Sequence, residues 1–184
     1  MKIASCAATF CMVALFSIGG TAMADNAQDG TREWGPVKEG CRLSVTAKKT
    51  SFGYDQPIAL RITLENGSDR TVVIVQSGIL LDYEFDVRLP NDKPAPLTLE
   101  GKRQKDRPQF ETVSERVKPN GTVVKEVPML NRLYDMTLLG EYKVTVSRRV
   151  IEEGGKNSFV VKSNTLKVRV TEREIDEKSK TDAK

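Results

Sequence analysis

Apolar and polar residues alternate along most of this chain, and the alternation predicts strands. Ile58, Leu60, Ile62 and Leu64 alternate with Ala59, Arg61, Thr63 and Glu65. A period of two sends one set of side chains to a core and the other to water. Leu43, Val45 and Ala47 alternate in the same way with Arg42, Ser44 and Thr46, and Tyr83, Phe85, Val87 and Leu89 with Asp82, Glu84, Asp86 and Arg88. Thr71 to Val75 is a continuous β-branched run suited to a central strand. Tyr142, Val144 and Val146 alternate with Glu141, Lys143 and Thr145, after a compact crossover from Leu133 to Gly140. Arg148 and Arg149 end that strand. Phe110 to Val117 and Thr122 to Val127 read as shorter strands, and Ser158 to Val170 as one or two more.

Turn residues separate these runs. Asn66-Gly67-Ser68-Asp69 predicts a tight hairpin, because Asn-Gly tolerates the positive φ angles of a type I′ turn. Ser51 to Pro57 reads as a link and Pro90 to Pro96 as a loop, since proline cannot donate to a ladder. Leu97 and Leu99 suggest a short edge segment, followed by a basic loop from Lys102 to Pro108. No amphipathic helix longer than about two turns is evident. About eight or nine short strands with frequent turns predict an all-β fold, an immunoglobulin-like antiparallel β-sandwich over residues 41–170. Gly140 and Tyr142 would form its structural corner, the Tyr142 hydroxyl bonding backbone near Asp135 or Leu138.

The ends of the chain fall outside this pattern. Lys2, an uncharged stretch from Ile3 to Ile18 and Ala22-Met23-Ala24 have the layout of a secretory signal peptide, residues 1–24, cleaved after Ala24. The apolar run is short for a membrane span, which needs roughly 20 residues. No integral span is expected in the mature chain, which would be periplasmic or extracellular. Residues 25–40 form a polar leader, with Trp34 expected to pin it to the sandwich. Residues 171–184 are charged and nearly devoid of apolar side chains, the composition of a frayed or disordered tail.

Composition then narrows the chemistry. The sequence contains no histidine, which excludes Ser-His-Asp and Cys-His nucleophile systems and imidazole bases. Of its 3 cysteines, Cys6 and Cys11 lie in the signal peptide. Cys41 remains alone, so the mature chain has no internal disulfide. Cys41 is expected to be a small buried hydrophobe, with pairing between chains as the alternative. The formal charge of +4, lowered by one when Lys2 is removed, is far from a nucleic-acid signature. No cofactor or metal is implied. Asp82, Glu84 and Asp86 share one strand face, which reads better as a solvated surface than as a calcium site.

Tyr54-Asp55-Gln56-Pro57-Ile58-Ala59-Leu60, followed by Leu64-Glu65-Asn66-Gly67-Ser68, resembles the opening of bacterial exported immunoglobulin-like domains. Gln76-Ser77-Gly78 before Tyr83 to Val87, together with Pro119-Asn120-Gly121 and Gly140-Glu141-Tyr142, resembles the intracellular proteinase-inhibitor (BsuPI-like) family. Asn120 interrupts that family's Pro-Gly. The resemblance implies a sandwich and, as one option, a protease inhibitor using an exposed loop such as Pro90 to Pro108.

The residues themselves favour an exported, non-catalytic module that binds a protein or envelope component. The candidate binding surface is basic: Arg103, Lys105 and Arg107 from the loop, with Arg148 and Arg149 from the strand. It would meet an acidic partner, a lipid headgroup or an anionic glycan. A carboxylate-based enzyme is the remaining alternative.

Overall fold

The computed structural model describes residues 32–106, 112–155 and 157–172, all within one compact unit. The signal peptide, its cleavage point after Ala24, the first part of the leader, Arg107 and most of the charged tail lie outside the described residues.

Among the described residues ten strands form in chain order: β1 (Cys41–Ala47), β2 (Ser51–Gly53), β3 (Leu60–Asn66), β4 (Val72–Gln76), β5 (Tyr83–Arg88), β6 (Val113–Val117), β7 (Gly121–Val127), β8 (Gly140–Glu152), β9 (Ser158–Lys162) and β10 (Leu166–Thr171). Three short helices, α1 (Ile79–Asp82), α2 (Leu99–Asp106) and α3 (Leu130–Leu133), connect them. The fold is an all-β sandwich. One sheet has the order β1-β3-β7; the other runs β2-β10-β8-β4-β6, with β5 and β9 also paired to β8. No helix among the described residues is long and apolar enough to cross a membrane.

The 13-residue β8 is the spine of the larger sheet. Along one side it pairs with β10 and then β9; along the other it pairs with β5 and then β4. Tyr142, Val144, Val146 and Val150 are wholly buried. They face Leu43, Val45, Ile62 and Leu64 across the core, each such side chain contributing about 1.5–3 kcal/mol on burial.

The sequence pattern located the strands but misread several links. Asn66 and Gly67 do not form a hairpin. Neither adopts positive φ, and the chain crosses there from the small sheet to the large one. The Asn66 side chain, fully buried, makes the crossover instead. Its Nδ2 donates to the carbonyls of Arg70 (2.7 Å), Val117 (3.0 Å) and Lys118 (3.1 Å), and its Oδ1 accepts from the backbone and hydroxyl of Ser68. Ser51–Gly53 is a strand, parallel to β10, too short to show a period. Leu99 and the basic stretch after it form helix α2, not an edge segment and a loop. Arg148 and Arg149 lie within β8, which continues to Glu152.

Candidate functional site

The two flanks of the sandwich differ, and the difference comes from which strand edges find partners. On one flank the free edge of β1 is closed. The backbone of Gly35 donates to the Leu43 carbonyl at 2.9 Å. Asn164 turns its amide onto Val45, accepting from its N–H and donating to its carbonyl. Gly35 must be glycine here, because a Cβ would overlap the Lys162 carbonyl oxygen. Trp34 is held by this leader, with the Arg42 guanidinium 4.3 Å above its ring and bonded on its far end to Glu65 at 2.9 and 3.0 Å.

On the other flank β6 pairs only with β4, and β7 only with β3, among the described residues. The two edges are joined by a turn in which the Gly121 N–H donates to the Lys118 carbonyl. Between them and the end of β4 lies a cleft of about 670 Å³. Gln76, Val113, Glu115 and Lys125 line it from the core-facing side of their strands; Ser77, Gly78 and Asp82 close one end. Val113 faces the same way as the buried Val117, yet it is 62% exposed.

The polar groups of the cleft are unequally partnered. The Asp82 carboxylate accepts from the Ser77 N–H at 2.8 Å and the Gly78 N–H at 3.2 Å. Glu115 accepts from the Gln76 amide. Arg116 is drawn outward to Glu153 at 3.0 Å. Lys125 has no ion pair with a described residue.

Arg148 sits behind this cleft and corrects the expected basic patch. It is 3% exposed, because alternate residues of β8 face the core. Its guanidinium stacks 4.3 Å above the ring of Tyr83, the residue opposite it in β5, and its Nη2 donates to the Val75 carbonyl at 2.7 Å. Its Nε is buried without a partner among the described residues. Burial pushes the Tyr83 hydroxyl pKa up, and the neighbouring Arg148 partly offsets this. Arg149 points the opposite way, exposed on the outer face of β8, so the two arginines share no surface. Arg103 and Lys105 are exposed on α2, which packs against α1 at the end of the cleft. No periodicity flagged this cleft, whose members come from β4, α1, β6 and β7.

The remaining expected features have definite places. Tyr142 donates its hydroxyl to the Leu138 carbonyl at 2.8 Å. Gly140 has a φ of +130°, and a Cβ there would meet the ring of Pro90 at 2.9 Å. Cys41 is fully buried, with its Sγ 3.6 Å from Asn66 Oδ1. Desolvation raises its pKa, and it offers no surface for pairing between chains. Asp82 is the last residue of α1 and its carboxylate accepts from the Ser77 and Gly78 N–H groups, so the expected acidic row is reduced to the exposed Glu84 and Asp86. Among the described residues, no group of three or more His, Cys, Asp or Glu is arranged to hold a metal ion. The stretch after Pro90 does not project as a free loop. Leu89 donates to Lys93, Ala95 to Val87 and Thr98 to Leu133 through the backbone, which folds it back on β5 and α3. A second, smaller hollow beside Thr50 and Ser51 holds the Lys167–Glu141 ion pair at 3.2 Å.

No family model matches the chain, and no curated protein matches it. Solved structures that are similar include the following two. One is a Northeast Structural Genomics Consortium target, SoR45, at 11% identity and a TM-score of 0.45, covering 73% of this chain and 90% of the other. The other is AggA, the major subunit of aggregative adherence fimbriae type I from Escherichia coli, at 13% identity and a TM-score of 0.38, covering 73% and 98%. Both likenesses are loose and carry no functional inference.

Proposed function

We propose that this chain is an exported, non-catalytic β-sandwich module that binds a protein or envelope component at the flank between β6 and β7. The observation that supports this is the contrast between the flanks. The β1 edge is closed by the leader and by Asn164, whereas among the described residues β6 and β7 each pair on one side only and diverge around the cleft. Unpaired strand edges offer backbone donors and acceptors to another chain, and natural proteins usually cover or guard them. Export rests on the signal-peptide layout of residues 1–24.

Placing a photo-crosslinking residue at Val113, in the flank, and separately at Arg149, on the outer face, tests this reading in cells that make the protein. A discrete adduct from Val113, on a chain whose N-terminus is Asp25, is the expected result. Adducts from neither position, or a retained N-terminal segment in the cytoplasm, would overturn it.

A further inference from the structure

The chain carries two Asn-Gly pairs, Asn66-Gly67 and Asn120-Gly121, and the fold treats them in opposite ways. Asparagine is a thermolabile residue, because the backbone nitrogen of the next residue can attack its side-chain amide. A following glycine favours that attack, having no Cβ to obstruct the approach and few limits on its backbone. The Asn120 side chain is exposed, in the turn before β7. Asn66 is wholly buried.

Every atom the reaction needs is engaged at Asn66. The attacking atom is the Gly67 nitrogen, and its N–H donates to the Gly40 carbonyl at 2.9 Å. The leaving atom is Nδ2, which donates to the carbonyls of Arg70, Val117 and Lys118. Oδ1 is fixed by the Ser68 N–H at 3.1 Å and the Ser68 hydroxyl at 2.6 Å. The side chain cannot swing its Cγ onto Gly67 without giving up these bonds, and burial keeps water from the nitrogen that must leave.

The same amide joins two crossovers. The Arg70 carbonyl belongs to the passage from β3 to β4, and those of Val117 and Lys118 to the passage from β6 to β7. Both passages run between the small sheet and the large one. Loss of Nδ2 therefore removes one donor from both.

We infer that Asn66 is a spontaneous modification site, open only while the chain is unfolded, whose product no longer holds the two crossovers. In the unfolded chain the Gly67 nitrogen gives up its proton and bonds to Asn66 Cγ. The bond from Cγ to Nδ2 breaks, and Nδ2 departs as ammonia with a proton, leaving a succinimide ring. Water then opens the ring at one carbonyl or the other, giving aspartate or isoaspartate. Aspartate offers only acceptors to three carbonyls. Isoaspartate routes the main chain through the former side chain, which lengthens it and shifts the end of β3. Prompt folding thus protects the residue, and delay converts it irreversibly.

The mature chain carrying Asn120→Gly tests this, since it retains one Asn-Gly pair and glycine suits the positive φ of that turn. It is held at one mildly alkaline pH in native buffer and, separately, in guanidinium chloride, and residue 66 is followed by mass spectrometry of tryptic peptides. Aspartate and isoaspartate are expected in the denaturant. In native buffer they should form at least about a hundredfold more slowly, because reaction there waits for an opening of the crossover. Gly67→Ala, compared in denaturant where its fit in the fold is immaterial, should slow the conversion. Converted chains, separated and returned to buffer, should unfold at lower denaturant than unconverted ones. Similar rates in the two conditions, an unaltered rate in Gly67→Ala, or an unchanged midpoint after conversion would overturn the inference.

Discussion

Asn164 acts as a one-residue strand for Val45. Its Oδ1 accepts the Val45 N–H at 2.8 Å and its Nδ2 donates to the Val45 carbonyl at 3.1 Å. A primary amide carries the same donor and acceptor as a peptide unit, so it satisfies an edge that otherwise faces solvent or another chain. Asn164→Ala leaves both groups of Val45 unpaired. The expected cost is about 2 kcal/mol, read as a lower urea midpoint with an unchanged slope. The variant should also acquire a concentration-dependent self-association visible in light scattering, because the exposed edge becomes a pairing template.

Asn66 replaces a turn with a side chain. Three carbonyls, from Arg70, Val117 and Lys118, converge on its Nδ2. Asn66→Asp puts a carboxylate against those carbonyls and is expected to destabilise by about 3 kcal/mol or more, beyond the loss in Asn66→Ala. Equal midpoints for the two variants would show that the three donations do not hold the crossover.

Tyr142 is wholly buried at the start of β8 and bonds Leu138 across the corner. Tyr142→Phe removes the hydroxyl and leaves the carbonyl without this donor. A loss on the order of 1 kcal/mol is expected in chemical denaturation.

Alkaline unfolding should report Tyr134. Burial, reinforced by Glu84 and Asp86, pushes its pKa from 10.0 up to about 12. The folded state thus holds the phenol proton more tightly than the unfolded chain does. Its contribution is complete below pH 10 and is lost as the pH rises toward 12. Tyr134→Phe is expected to flatten the fall of the urea midpoint across that window, while leaving the neutral-pH midpoint nearly unchanged because the Tyr134 bond to Phe85 is long at 3.5 Å.

Arg148 stacks on Tyr83 and donates to Val75. A planar guanidinium does both at once, and an ammonium does not. Arg148→Lys is expected to cost about 2 kcal/mol and to change the near-ultraviolet circular dichroism of Tyr83. An identical spectrum and midpoint would mean the stack contributes nothing.

The strands and the sandwich were legible in the sequence because a period of two is local. Leu60, Ile62 and Leu64 lie on one face whatever the rest of the chain does, and Tyr142 with Val144 and Val146 identify the buried face of β8. The same locality made the links misleading. Asn66-Gly67 has the composition of a hairpin, but its flanking strands belong to different sheets, and a buried side chain overrides the turn preference. The basic residues between Lys102 and Asp106 look like a loop because their helix is only two turns long and presents mostly polar residues to solvent.

Only the tertiary structure decided which edges close and which stay open. Val45 and Asn164 are 119 positions apart, and Arg148 meets Val75 across 73. Such pairings carry no signature along the chain, because they depend on how strands are ordered in the sheets and not on their own patterns. Arg148 and Arg149 show the limit most directly: adjacent and chemically identical, they differ because one faces the core and the other the solvent. The sequence determined that the two must face opposite ways. The sheet order determined which of them is buried against Tyr83, and left the flank in front of it uncovered.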